Sequence, residues 1–183
     1  MRLDPKSFEA AYFFARSCIA QGKSEEAVKW FERAIAVRPD DFAALIILSG
    51  AYAALGRTDD VTRAMRRAYD AARKHLELNP DNPRALYMGA AALVQLGEHE
   101  KALDWTRRAE TMEPDDPSVL YNVACDYAQL LMPAEAINAL TRAVDNGFGH
   151  WKWIEHDSTL DPLRSDPRFV TLLSRKPAEA AAQ

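Results

Sequence analysis

The feature that most constrains this chain is a recurring proline. Pro5, Pro39, Pro80 and Pro114 stand 34, 41 and 34 residues apart, each beside an aspartate. Proline lacks a backbone N–H and closes helices, so a fixed proline period marks a repeated unit. A unit of about this length is one supersecondary element that buries its apolar face only by stacking on the next. The long interval exceeds the other two by seven residues. That is one heptad, which returns a helix to within ~20° of its starting face, so the register survives the insertion.

Blocks aligned on these prolines begin at Phe8, Phe42, Pro83 and Pro117. Small residues then fall into columns: Ala15, Ser49, Ala90 and Ala124; Ala27, Val61, Ala102 and Ala136; Ala34, Ala109 and Ala143. A further column holds Gly22, Gly56 and Gly97, where a residue tolerant of positive φ closes a first helix. Small side chains at helical columns let neighbouring helices approach, and Phe14, Phe31, Leu48, Met65 and Leu140 fill the spaces between. Ser7, Asp41, Asn82 and Asp116 precede the first helices as N-caps, with Pro83 and Pro117 at the first helical position. Ser24 and Thr58 are read as preceding second helices in the same way.

These columns resemble the tetratricopeptide-repeat (TPR) family over roughly residues 3 to 150. The resemblance implies an all-α, right-handed α-α superhelix, a TPR solenoid of four helix pairs plus a C-terminal capping helix. The expected organisation is 1–7 as the end of a truncated preceding repeat, with Met1 an added initiator; repeats at 8–41, 42–82, 83–116 and 117–150; a capping segment at 151–175; and a disordered tail at 176–183. Repeat 4 departs from the pattern, since Leu131 replaces the turn glycine and is followed by Met132-Pro133, so a different turn geometry is expected there. The inserted heptad predicts a protruding helix of ~20 residues in repeat 2. Its polar side carries Arg63, Arg66, Arg67, Arg73 and Lys74, offset by Asp59, Asp60, Asp70 and Glu77.

The C-terminal segment is similar to the end-of-group motif that closes TPR arrays in bacterial multidomain proteins, matching at Trp153, Asp157, Leu160, Asp161, Pro162, Leu163, Arg164, Asp166, Pro167, Arg168 and Phe169. Asp166-Pro167 reads as the cap and first residue of a short helix whose Phe169, Leu172 and Leu173 cover the last repeat. Such parents include class III adenylate or guanylate cyclases, winged-helix regulators, Ser/Thr kinases and TolB-like proteins. The resemblance therefore implies a regulatory or sensory arm of a larger signalling protein, cytoplasmic, or periplasmic if the parent is membrane-anchored.

In this family the first helix of each pair lines a concave groove. The groove-facing columns here hold Tyr12, Ile46, Tyr87 and Tyr121, then Arg16, Gly50, Ala91 and Cys125, with Asn122 beside them. Tyr12, Arg16, Ile46, Tyr87, Tyr121, Asn122 and Cys125 are accordingly the expected contacts to a protein or peptide partner. The alternative is that the tyrosines pack on one another or on the C-terminal helix. The chaperone-type carboxylate clamp wants Lys and Asn where this chain has Tyr12 and Arg16.

Composition closes off other classes. With 23 Lys+Arg against 27 Asp+Glu the net charge is −4, which argues only for solubility and does not suggest nucleic acid as the default partner. No stretch approaches the ~18 apolar residues of a membrane span. Cys18 and Cys125 lack metal-site or redox spacing, and no phosphate loop or nucleophile elbow occurs. His150, His156, Asp157 and Asp161 fall inside the capping motif at a spacing that matches no metal site. The chain is therefore read as a non-enzymatic scaffold with no catalytic residue, cofactor, metal, nucleic acid or membrane contact. Self-association of the parent through the first repeat or the long helix is the alternative function.

Overall fold

Why the columns produce stacked helices is visible in a computed structural model that describes residues 7–177. Four antiparallel helix pairs follow one another: α1 (Phe8–Ala20) with α2 (Ser24–Val37), α3 (Phe42–Ala54) with α4 (Thr58–Leu78), α5 (Pro83–Gln95) with α6 (His99–Met112), and α7 (Pro117–Gln129) with α8 (Pro133–Asp145). Each first helix packs on its own partner, and each of the second helices α2, α4 and α6 packs on the first helix of the next pair, as in a TPR solenoid. The expected truncated repeat at 1–7 lies outside the described residues except for Ser7, and 178–183 of the expected tail also lie outside them.

First helices begin alike. Ser7 accepts a hydrogen bond from Ala10 N, Asp41 from Ala44 N, Asn82 from Ala85 N, and Asp116 from Ser118 N and Val119 N. Second helices begin differently from the expectation. Ser24 and Thr58 are the first helical residues, and the cap positions Lys23, Arg57, Glu98 and Met132 make no side-chain cap bond. The tight turn delivers the chain straight into the next helix, leaving no room for an extended cap residue. Acidic residues in these first turns, Glu25, Glu26, Asp59, Asp60, Glu100 and Glu135, offset the positive helix end instead.

The turns share one geometry. Gly22, Gly56 and Gly97 have φ of 72°, 69° and 77°. In each, the following residue donates back five positions, as Lys23 N does to Cys18 O and Glu98 N to Leu93 O, the Schellman pattern. Leu131 takes the same course, with φ 58° and Met132 N donating to Tyr127 O. The different turn expected in repeat 4 is not formed; the hydrogen-bond pattern of the helix end overrides the preference of leucine.

The small columns are buried to zero exposure at Ala15, Ala27, Ala34, Ala90, Ala102, Ala109, Ala124, Ala136 and Ala143. At Gly89 an added Cβ would lie 2.2 Å from the Trp105 ring, so this position admits no side chain while the indole stays where it is. The long helix α4 has 21 residues and buries Ala64, Met65, Ala68, Ala71 and Ala72, one continuous face through the inserted heptad. It does not protrude as expected. Ala72 is fully buried, His75 meets the Phe42 ring edge-on and contacts Asn82, and Leu76 packs into the C-terminal core. Its cations are partly engaged: Arg63 with Asp60, Arg73 with Glu77 at 2.6 Å, and Lys74 with Asp40 at 3.2 Å.

Beyond α8 the single capping helix of the expectation is a set of three short elements: α9 (Trp151–His156), a 3-10 helix (Ser158–Leu163) and α10 (Pro167–Leu173). The 3-10 helix lies along α7, while α10 reaches α8 and α9. Leu160, Leu163 and Phe169 are fully buried, and Asp166 caps α10 through Arg168 N. Lys176, assigned to a disordered tail, is held by both Glu155 oxygens at 2.8 Å.

Candidate functional site

The inner helices α3, α5 and α7, closed at one end by the 3-10 segment, surround a cavity of about 270 Å³. That is room for roughly nine waters at ~30 Å³ each, which suits one or two side chains of a partner rather than a drug-sized molecule. Its apolar wall comes from Ile46, Met65, Met88, Ala91 and Val94; its polar edge comes from Gln95, Asn122, Asp126, Gln129, Asp157 and Thr159. Gly50 opens one side, since a Cβ built there meets nothing within 4 Å.

Of the residues expected to face the groove, Ile46, Tyr87, Asn122 and Cys125 line this cavity together. Tyr12 and Arg16 lie outside it. Tyr12 stacks on Phe8 with ring centroids 5.5 Å apart, and the Arg16 guanidinium sits 5.9 Å from the Tyr12 ring. Tyr121 is buried behind the cavity wall: it stacks on Phe148 at 4.3 Å, and its hydroxyl donates to Asp157 Oδ2 at 2.7 Å. The tyrosine expected in the groove is thus enclosed by the C-terminal segment, because Phe148 and Asp157 fold back over α7. Burial and the adjacent Asp157 carboxylate push its phenol far above the usual value, and burial does the same to the Cys125 thiol.

Asp157 is fully used. Its Oδ1 accepts from Thr159 N at 2.9 Å and from the Thr159 hydroxyl at 2.7 Å, which opens the 3-10 helix. Arg164 then ties the segment together, donating to Ile154 O at 3.1 Å, Asp157 O at 3.0 Å and Asp161 Oδ1 at 3.2 Å. Nearby His150 stacks on Trp153 at 4.6 Å. The conspicuous carboxylates and histidine of the motif are therefore engaged in holding the lid. Among the described residues no group of three His, Cys, Asp or Glu side chains is placed to hold a metal ion.

Asp126 is the residue the column reading missed. It is 4% exposed, and no cation among the described residues pairs with it. One oxygen faces the Thr106 hydroxyl at 3.3 Å, and that hydroxyl also lies 2.9 Å from Ala102 O. Burial raises its pKa well above the carboxylate range, with only the Thr106 bond opposing. The available signal was a carboxylate one position past the groove column, inside the apolar run Val123-Ala124-Cys125-Asp126-Tyr127-Ala128, where charge is rare unless paired.

A solenoid of helix pairs with a concave, partly apolar cavity defines a class of interaction scaffolds. The chain belongs to the tetratricopeptide-repeat family, whose profile matches residues 4–139. Proteins of this family mediate protein–protein interactions. Among solved structures the chain is similar to TTC0263, a thermophilic TPR protein of Thermus thermophilus, at 21% identity and TM-score 0.61, over 97% of this chain and 91% of that one. It is also similar to a MamA RS-1 ArsTM double mutant, at 21% identity and TM-score 0.50, over 100% and 97% of the two chains. At such identities the likeness is one of fold. No curated protein matches the chain. No helix among the described residues is long and apolar enough to cross a membrane.

Proposed function

We propose that the chain is a non-catalytic scaffold whose concave face binds a peptide segment of a partner protein in the cavity between α3, α5 and α7. The observation that carries this reading is the convergence of Ile46, Tyr87, Asn122 and Cys125, from three successive repeats, on one open cavity. Three repeats sharing one cavity suit a ligand that runs across the array. The test is binding of partners captured on the full chain, compared with Tyr87→Ala and Gly50→Trp. The second variant fills the cavity from a position with open space around it. Loss of binding in both is expected; undiminished binding in both removes the groove assignment.

A second reading is self-association, supported by the apolar surface of α1, where Phe13, Phe14 and Ile19 are 61%, 39% and 38% exposed. Light scattering that shows a strict monomer at millimolar concentration excludes it. The similarity of residues 153–169 to the end-of-group motif supports placing the array in a bacterial signalling protein such as an adenylate cyclase, in the cytoplasm. The encoded sequence adjoining this chain tests that placement directly.

A further inference from the structure

The cavity is chemically one-sided. Its lining contains the carboxylates Asp126 and Asp157 and no lysine, arginine or histidine. Apart from the Tyr87 hydroxyl, each side-chain donor group along it has an acceptor within the protein: Ser49 donates to Ile46 O at 2.6 Å, Asn122 to Ser118 O at 2.8 Å, Gln129 to Thr159 O at 2.8 Å, and Gln95 to Gln129 at 3.4 Å. Asp157 is satisfied by Tyr121 and Thr159. Asp126 is not. Nine-tenths and more buried, it has one shared hydroxyl for two oxygens, and it lines the cavity. An occupant is therefore asked to donate hydrogen bonds and, to make up for the missing counter-charge, to bring a positive charge.

We infer that the groove selects a basic peptide segment, inserting one lysine or arginine side chain with its charged end at Asp126 and its methylene stem along Ile46, Met65, Met88 and Val94. The volume agrees, because about 270 Å³ admits a long side chain. The wall agrees as well: an aliphatic stem needs apolar contact, and the methionines adapt to it. Burial disfavours the ionised form of Asp126 in the empty cavity, and an arriving ammonium or guanidinium would favour it. This inference rests on the groove reading above and adds the chemistry of the occupant.

The experiment uses the full chain and a library of random 12-residue peptides displayed on phage, followed by fluorescence polarisation of synthetic versions of the recovered sequences. Peptides that lose binding to Gly50→Trp are groove ligands. They are expected to share a lysine or arginine at a fixed position. Replacing that residue by norleucine, which keeps the stem and removes the charge, is expected to weaken binding at least about tenfold on wild-type protein. Asp126→Asn is expected to weaken the parent peptide similarly and to leave the norleucine peptide unaffected. Groove ligands without a fixed basic residue, or ones indifferent to norleucine, overturn the charge selection while the groove reading stands. If the library yields no binder, or only binders that bind Gly50→Trp as well as wild type, the groove reading falls and takes this inference with it.

Discussion

At the scale of single residues, two positions carry a stability cost that the fold imposes. Leu131 holds a positive φ that a branched side chain disfavours by ~1–2 kcal/mol, while its own side chain is 76% exposed and packs on little. Leu131→Gly is expected to stabilise the protein by about 0.5–1 kcal/mol after the larger entropy of an unfolded glycine is counted, read as a higher urea midpoint at unchanged slope. Asp126 is the other. Well below the ordinary carboxylate pKa it is protonated folded and unfolded alike. As pH rises past that value the unfolded chain ionises while the buried group resists, so stability falls until the raised folded pKa is passed. Asp126→Asn is expected to raise the melting temperature at pH 7, where each 1 kcal/mol corresponds to about 2–4 °C in a domain of this size, with the gain shrinking toward pH 4. A gain that does not depend on pH would remove the burial account. Residues of this kind were only half legible: Leu131 stood out against three glycines, but its turn was misjudged, because backbone hydrogen bonding rather than side-chain preference decides it.

At the scale of elements, the lid is where local chemistry has most leverage. Arg164 bonds two backbone carbonyls and one carboxylate and lies 5.4 Å from the Phe169 ring centre. A planar fork can bridge Ile154 and Asp157 at once; a lysine ammonium cannot reproduce that arrangement. Arg164→Lys and Arg164→Ala are both expected to loosen residues 151–173, at about 1–3 kcal/mol for the alanine, seen as faster limited proteolysis in that segment with the repeats intact. Equal resistance in the wild type and both variants would show that burial of Leu160, Leu163 and Phe169 holds the lid unaided. The helix pairs, the caps of the first helices and the inserted heptad were readable because each follows from spacing along one strand of sequence. The lid's division into α9, a 3-10 helix and α10 was not, because short elements take their form from what they pack on.

At the scale of the whole molecule, the buried apolar residues form two clusters. One spans α1 to α4 and includes Ala92; the other spans α5 to the lid. The second is closed by Phe148, Trp151, Leu160, Leu163 and Phe169, whereas α1 leaves Phe13, Phe14 and Ile19 exposed. In a solenoid, stability is a sum over units and their neighbours, so opening should begin at α1 and α2. Hydrogen exchange is expected to be faster across Phe8–Val37 than across Pro117–Asp145; uniform protection would mean one cooperative unit. The repeat period, the small columns and the turn glycines determined a stack of helix pairs, because each pair has one apolar face and only its neighbours to cover it. They also placed Ile46, Tyr87, Asn122 and Cys125 on a common face. Which of the groove residues stay open was decided by the tertiary structure alone. The returning segment 148–163 buries Tyr121 and brings Asp157 and Thr159 to the cavity, and α6 sets Thr106 against Asp126. Periodicity records which face a residue occupies; what lies across from that face depends on chain 20 to 36 residues away, as the sequence separations of these contacts record.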